Sequence, residues 1–495
     1  MITQLHNPQQ AANWFQARVH GSLSTDSRHV KAGDGFIAWP GAATDARQYV
    51  ADALKAGAAA CLVEMSGVAA YGFTDAKIAA YRDLKAAAAP IAAAYFGDPS
   101  RQLETIAVTG TNGKTSTAWW LAQALGKLSR KCSVVGTLGI GMPGAMVFNG
   151  LTTPDPVLLQ QQLRRFVAEG FAACVIEASS IGIAEHRLDA TRLQVVVFTN
   201  FTQDHLDYHG SMLAYWAAKE SLFNWPGLQS AVINVDDAKG RDLNLMLKTS
   251  SIDVWTVAIN EPARLQAEAI EQEAGALTFV VVEGAERRTV TTSAIGLYNV
   301  SNLLGVIGAL RALGLPLKGA AMACCSLSAV PGRLNTLSQA GKPLVVIDYA
   351  HTPDAIEKVL LALKPVAQTR GGQLWCVFGC GGDRDASKRP LMAATAQKNA
   401  DQIVVTSDNP RSENPAAIIS QILLGLTHSE SVRVQTDRAL AIAEALTSAQ
   451  PADVVLLAGK GHEKYQEVGG IKYPFDDLHH AQLALNSRPL NRAAS

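Results

Sequence analysis

Short apolar runs recur along this chain, each closed by small or polar residues and followed by a stretch with helical spacing. Residues 106–108, 133–135, 174–176, 195–198 and 231–234 form one series; residues 344–347, 374–378, 403–405 and 454–457 form another. Runs without polar alternation predict strands buried on both faces, and helices between them predict mostly parallel sheets. Before residue 99 the pattern is looser. Residues 35–38 and 60–63 are strand-like, and an alanine-rich helix around 86–94 stops at Gly97-Asp98-Pro99. A second break falls at Val330-Pro331-Gly332, a candidate hinge. The expected fold is therefore α/β in three domains: an N-terminal α/β domain over 1–98, a central phosphate-loop domain with a mostly parallel sheet over 99–332, and a Rossmann-like domain over 333–495.

The first series opens on the most informative segment, Thr109-Gly110-Thr111-Asn112-Gly113-Lys114-Thr115-Ser116, between the run at 106–108 and a predicted helix at 117–128. Small residues let backbone N–H groups face phosphate oxygens, the helix N-terminus adds positive potential, Lys114 supplies a cation, and the Thr115 hydroxyl suits Mg²⁺. The usual loop would carry glycine at position 108, which is Val108 here, so this is a shorter form used by a subset of ATPases. The bland alternative is a glycine-rich turn that binds nothing, but lysine and threonine directly after the last glycine oppose it.

Composition narrows the partners. With 495 residues the chain can bury several cores. Lys+Arg and Asp+Glu both number 43, so no net charge argues for nucleic acid or an anionic membrane. The seven cysteines, at 61, 132, 174, 324, 325, 376 and 380, show no zinc spacing and fit a reduced, cytoplasmic setting. No segment reads as an export signal or membrane span, and no heptad demands self-association, so a monomer without membrane insertion is expected.

In open parallel sheets ligands bind beyond the carboxyl ends of the strands. Polar clusters follow four of the runs: Glu177-Ala178-Ser179-Ser180, Thr199-Asn200-Phe201-Thr202-Gln203-Asp204-His205, Asp348-Tyr349-Ala350-His351, and Ser407-Asp408-Asn409-Pro410-Arg411. A single carboxylate there is more often a helix cap. Four clusters beside a phosphate loop point to a site.

These clusters, with Asp204-His205-Leu206-Asp207-Tyr208-His209-Gly210, Tyr215-Trp216-Ala217-Ala218-Lys219, Asn299-Val300-Ser301-Asn302, Gly379-Cys380-Gly381-Gly382-Asp383-Arg384-Asp385 and Gly459-Lys460-Gly461-His462-Glu463, resemble the Mur ligases of peptidoglycan synthesis over nearly the whole chain. The resemblance implies an ATP-dependent amide ligase in which a carboxylate attacks the γ-phosphate and an amine then displaces phosphate from the acyl phosphate. Its substrates would be UDP-N-acetylmuramoyl-L-alanyl-D-glutamate and meso-2,6-diaminopimelate, with ATP as co-substrate and Mg²⁺ as cofactor. It implies ATP contacts at Gly110, Thr111, Asn112, Gly113, Lys114, Thr115, Ser116, Asn299, Asn302, Arg333, Asp348, Tyr349 and His351. Metal ligands would be Thr115, Glu177 and His205, and the catalytic groups Lys114, His205 and Lys219, the last carbamylated by CO₂. Ser27, Thr152, Thr153, Ser179, Glu185 and Arg187 would contact the muramoyl dipeptide. Arg384, Asp408, Asn409, Pro410, Arg411, Gly459 and Glu463 would bind diaminopimelate.

The sequence departs from the family pattern in three places: Thr44-Asp45-Ala46-Arg47, Ile181 where histidine is common, and Glu185 where glutamine is common. Blander readings stand beside the sharp ones: a capping histidine at 205, a solvated helix lysine at 219, a type I turn at 408–411. Competing enzymes are a folylpolyglutamate synthase-like ligase or a tripeptide synthetase adding lysine; a P-loop motor would leave Lys219, Asn299 and the Asp348 cluster unexplained.

Overall fold

The structure is a computed structural model and describes residues 2–41, 44–273, 276–427 and 432–487; the predicted C-terminal domain thus ends in eight residues outside those described. Three large sheets and one two-stranded hairpin divide the strands among the described residues. The first is fully parallel, in the order Thr3–Leu5, Ile78–Tyr81, Ala60–Glu64, Gly35–Ala38, Leu23–Ser24.

The central sheet has eleven strands, and its parallel part runs Leu265–Glu273, Asp253–Ala258, Ser230–Asn234, Val195–Phe198, Glu104–Thr109, Ala173–Glu177, Cys132–Gly136. Its middle strands are buried end to end, as their unbroken apolar runs require. One face packs on the helices Lys114–Lys127 and Leu297–Ala312, the other on Pro156–Ala168 and Ala238–Leu247. Antiparallel strands close both edges. Ala276–Glu283 and Glu286–Thr292 extend one side, Gly139–Met142 and Ala145–Val147 the other. None of these four was anticipated. The strands Ala276–Glu283 and Glu286–Thr292 alternate exposed and buried positions, so only a half-buried pattern was there to read.

The third sheet orders Asn335–Leu337, Leu344–Asp348, Val454–Ala458, Leu374–Phe378, Gln402–Val405, Val432–Val434, parallel except at its first, edge strand. Two topological facts place the site. The strand Glu104–Thr109 lies between Val195–Phe198 and Ala173–Glu177, so the phosphate loop emerges between two polar strand ends. In the third sheet Val454–Ala458 returns between Leu344–Asp348 and Leu374–Phe378, which opens a crevice at its carboxyl edge.

Candidate functional site

The phosphate loop leads straight into the helix Lys114–Lys127, so the helix starts at the lysine, three residues before the predicted start. Gly113 has φ +86°, and a Cβ there would lie 2.4 Å from Asn302 Oδ1, so only glycine lets the loop meet the helix Leu297–Ala312. Lys114 Nζ folds over the loop, donating to the carbonyls of Gly110 (2.9 Å) and Thr111 (2.8 Å). Burial draws its amine below the ordinary lysine value, against the pull of Glu177 and Asp204.

Thr115 Oγ1 donates to Glu177 Oε2 at 2.8 Å, and Arg333 Nη2 donates to Thr115 Oγ1 at 3.1 Å. Glu177 is 1% exposed and also accepts from the Thr137 N–H (2.9 Å) and hydroxyl (3.1 Å). A buried carboxylate satisfied by hydroxyls and an amide, next to a threonine oxygen, is a donor set that fits Mg²⁺. Among the described residues no three His, Cys, Asp or Glu side chains converge as a metal cage. Thr115 and Glu177 are the residues that would hold the ion.

Lys219 sits on the helix Met212–Glu220 and is 1% exposed, which excludes the solvated reading. Its Nζ donates to the Gly110 carbonyl at 2.7 Å and lies 4.7 Å over the Tyr215 ring. Desolvation first, then the nearby Lys114 charge, push its amine well below the usual lysine range. His205 adopts a left-handed φ of +53° as the N-cap residue of the helix Leu206–His209, and its side chain makes no cap hydrogen bond there. Burial holds its imidazole down at about 4. Beside it, Asp204 carries three neighbours: His205 Nε2 at 3.5 Å, Lys388 Nζ at 3.6 Å and His351 Nε2 at 3.9 Å. Burial alone would raise that carboxyl; Lys388, His205 and His351 keep it below the usual carboxylate range.

On the nucleotide side, Asn302 Nδ2 donates to Asn299 Oδ1 (3.0 Å), and Asn299 Nδ2 to the Ile295 carbonyl (2.8 Å), fixing both amides near the loop. Arg333 lies over the Tyr349 ring at 4.7 Å. Asp348 accepts the N–H groups of Leu334 (2.7 Å) and Ala350 (2.8 Å), and burial raises its carboxyl. His351 Nδ1 bonds the Tyr349 carbonyl at 2.7 Å.

Opposite stands the loop at 408–411. Lys460, fully buried, is 3.1 Å from both Asn409 Oδ1 and Glu463 Oε2 and 3.6 Å from Asp408. Asn409 Nδ2 donates to Glu463 (2.9 Å), whose carboxyl burial raises. Arg411, at φ +50°, donates from Nη1 to the Gly382 carbonyl at 2.7 Å. Its backbone bridges Val468, beside the hairpin Tyr465–Val468 and Ile471–Pro474, which no sequence signal disclosed. Residues 408–411 are bend and extended backbone and not the type I turn of the bland reading; the turn falls two residues later, where the Glu413 N–H donates to the Pro410 carbonyl, and Asp408 and Asn409 are buried.

One cavity of about 1540 Å³ joins these parts. Its walls include Thr111, Asn112, Gly113, Lys114, Thr115, Ser116, Thr152, Thr153, Glu177, Ser179, Arg187, His205, Lys219, Asn299, Asn302, Arg333, Asp348, Tyr349, His351, Arg384, Asp408, Asn409, Arg411, Gly459 and Glu463. Thr153 Oγ1 pairs with Ser179 Oγ (2.9 Å), and Arg187 Nη1 donates to the Thr153 carbonyl (2.9 Å), so those three expected contacts form one unit.

Four expected positions lie off the wall. Gly110 offers only its carbonyl beneath the loop, to Lys114 and Lys219. Pro410 supports the turn, its carbonyl accepting from Glu413. Ser27 begins the short 3₁₀ turn Ser27–His29 of the N-terminal domain, away from the cavity. Glu185 is a correction of substance: its carboxylate is taken by Lys85 (2.8 Å) and the Tyr208 hydroxyl (2.5 Å), so it ties the N-terminal domain to the His205 segment. In the Thr44 to Arg47 departure Asp45 pairs with Arg47 at 2.6 Å, its carboxyl held at about 2 by that hydrogen bond, and Arg47 also donates to the Glu64 and Ser66 carbonyls. Unanticipated wall residues include Thr137 and Lys388, while Asp204, read only as part of a polar strand-end cluster, gains a specific set of partners. Lys388 follows Arg384 by four positions, the one signal that pointed to it.

The model of the Mur ligase middle domain matches residues 108–310, and that of the Mur ligase glutamate ligase domain matches residues 332–461. A UDP-N-acetylmuramoyl-L-alanyl-D-glutamate--2,6-diaminopimelate ligase of Acidovorax sp. (strain JS42) is 58% identical over 487 residues, 97% of each chain. A solved structure of a ligase of that same name is 32% identical, covers 94% of each chain and superposes with a TM-score of 0.61. Folylpolyglutamate synthase of Mycobacterium tuberculosis shares the fold at 18% identity, with a TM-score of 0.62, covering 82% of this chain and 96% of its own. With the phosphate loop, the buried lysine and the facing carboxyl-end loops in one cavity, and with these relatives spanning both partners nearly end to end, the chain belongs to the Mur ligase family.

Proposed function

We infer that this protein joins meso-2,6-diaminopimelate to the D-glutamate of UDP-N-acetylmuramoyl-L-alanyl-D-glutamate, spending ATP, in peptidoglycan precursor synthesis. The observation that carries this is the single cavity in which Lys114 and Thr115 face Asp408, Asn409 and Arg411 from another domain. A carboxylate oxygen attacks the γ-phosphorus and ADP leaves; the amine then attacks the acyl carbon, phosphate leaves with the carboxylate oxygen, and one proton is released. Both steps gather negative charge, so placed cations and alignment lower the barrier.

Lys114 and Arg333 supply that charge from opposite sides of the cleft. When bound between Thr115 and Glu177, Mg²⁺ would neutralise phosphate oxygens. Lys219 is disposed to be an uncharged amine, the form that adds CO₂ to give a carbamate, which turns a cation that would repel Mg²⁺ into an anion that supports its site. Asn299, Asn302, Asp348 and Tyr349 are proposed to seat the nucleotide, and Thr152, Thr153, Ser179 and Arg187 the acceptor peptide. Arg411 and Arg384 suit the carboxylates of diaminopimelate, and Asp408 and Glu463 an ammonium. L-Lysine lacks the distal carboxylate. Among the described residues no helix is long and apolar enough to cross a membrane. Nucleotide substrates support a cytoplasmic setting.

The test is ATP-dependent ligation with diaminopimelate or L-lysine in parallel, read by mass spectrometry. Product from diaminopimelate alone is expected. Product from lysine alone would overturn the specificity, and no product with either would overturn the reaction.

A further inference from the structure

The segment just before His205 is gripped by the segment just after Arg384. Gln203 Nε2 donates to Ser387 Oγ at 3.1 Å and lies 3.4 Å from Asp385 Oδ2, and Lys388 Nζ lies 3.6 Å from Asp204 Oδ1. The carboxylate oxygen facing Lys388 also accepts the backbone N–H of His205 at 2.9 Å. Both partners are buried, the Lys388 side chain 9% and the Asp204 side chain 7% exposed. They belong to different sheets: Asp204 follows the strand Val195–Phe198, and Lys388 begins the helix Lys388–Asn399 after the strand Leu374–Phe378.

A buried carboxylate without a cation is costly, and a left-handed histidine persists only where its surroundings over-determine it. Asp204 does the over-determining at His205, through one oxygen to its N–H and the other towards its ring. Lys388 is the lysine that compensates Asp204, and it arrives with the C-terminal domain. We propose that Lys388 is a positioning residue that sets His205 through Asp204, so that the loop meant to hold the incoming amino acid and the loop beside the phosphate site are locked together in the closed enzyme. This rests on the ligase reading above and deepens it: the device assembles the phosphate-side geometry only when the amino-acid-side loop is docked.

The experiment compares the full chain with Lys388→Met, Lys388→Arg, Asp204→Asn and the Lys388→Met/Asp204→Asn pair in the ligation assay, with thermal unfolding as a fold control. Expected for Lys388→Met is a fall in kcat of about 10- to 100-fold, with the KM for ATP changed by less than about threefold, because alignment and not ground-state binding is lost. Lys388→Arg should recover most of the rate. The pair should be no slower than Lys388→Met, since removing the stranded charge removes the second penalty. Should Lys388→Met unfold early, Lys388→Gln replaces it with the same expectation. A Lys388→Met enzyme that turns over at the unsubstituted rate, or losses that multiply in the pair, would overturn the coupling alone; no ligation by the unsubstituted chain would overturn it together with the ligase reading.

Discussion

Burial sets the charge of Lys114, Lys219, His351 and His462, whereas partners set that of Asp204 and Asp45. Lys114 lies on its own loop carbonyls, within reach of the groove where phosphates would sit. Lys114→Ala should lower kcat about 10²- to 10³-fold with the fold intact, measured by ADP release and circular dichroism. Lys219, buried and drawn towards the neutral amine, should take up ¹³CO₂ and give a carbamate carbon signal by NMR; a Lys219→Ala protein should lose both that signal and ligation. His351 and His462 are held down at about 4 and about 3 by burial, against an ordinary 6.5. Between pH 6.5 and about 4 the unfolded chain therefore binds protons that these two refuse in the folded state, so their share of stability falls as pH falls. Urea midpoints should show the unsubstituted protein losing more stability from pH 7 to pH 5 than a His351→Asn/His462→Gln variant. The phosphate-loop side chains were legible because their chemistry is local: lysine and threonine follow the last glycine wherever the loop is built. Glu185 was not. Its partners Lys85 and Tyr208 are 100 and 23 positions away, and nothing in the local pattern shows that the carboxylate is already spent.

Among elements, the loop at 408–411 concentrates the specificity. Arg411 projects from a left-handed backbone held by the hairpin after Glu463, so its guanidinium is aimed by a contact distant in sequence. Losing a charge-assisted hydrogen-bonded pair costs about 1.5–3 kcal/mol, so Arg411→Ala should raise the KM for diaminopimelate roughly 10- to 100-fold. Arg411→Lys should not restore it, because a point charge cannot engage a carboxylate through two parallel bonds. Parallel strands were readable as buried apolar runs. The antiparallel edge strands were not, since strands that are partly solvent-facing or short carry weak patterns. Gly139–Met142 and Ala145–Val147 are only four and three residues long, two of the first four being glycine, so pairing and not a readable run makes them strands.

For the whole molecule the decisive quantity is how the third sheet docks on the second. Arg333 reaches Thr115, Asp354 accepts from Asn112 at 2.7 Å, and Lys388 meets Asp204, all across the cleft. The predicted hinge lies against this junction: Gly332, at φ +69°, would place a Cβ 2.2 Å from the His462 nitrogen. Gly332→Ala should therefore cost about 1–3 kcal/mol through overpacking and strain, lowering the unfolding temperature and the ligation rate together.

Local composition was enough for the α/β class, the phosphate loop and the polar strand ends, because hydrophobic periodicity and loop chemistry act within a dozen residues. The pairing of Glu177 with Thr115, the burial of Lys219 and the grip of Lys388 on Asp204 join residues separated by 62 to 184 positions, and no short-range signal encodes them. They exist because crossovers bring the carboxyl ends of separate strands to one crevice, where desolvation sets the charges and the cation a carboxylate meets depends on which loop is packed against it.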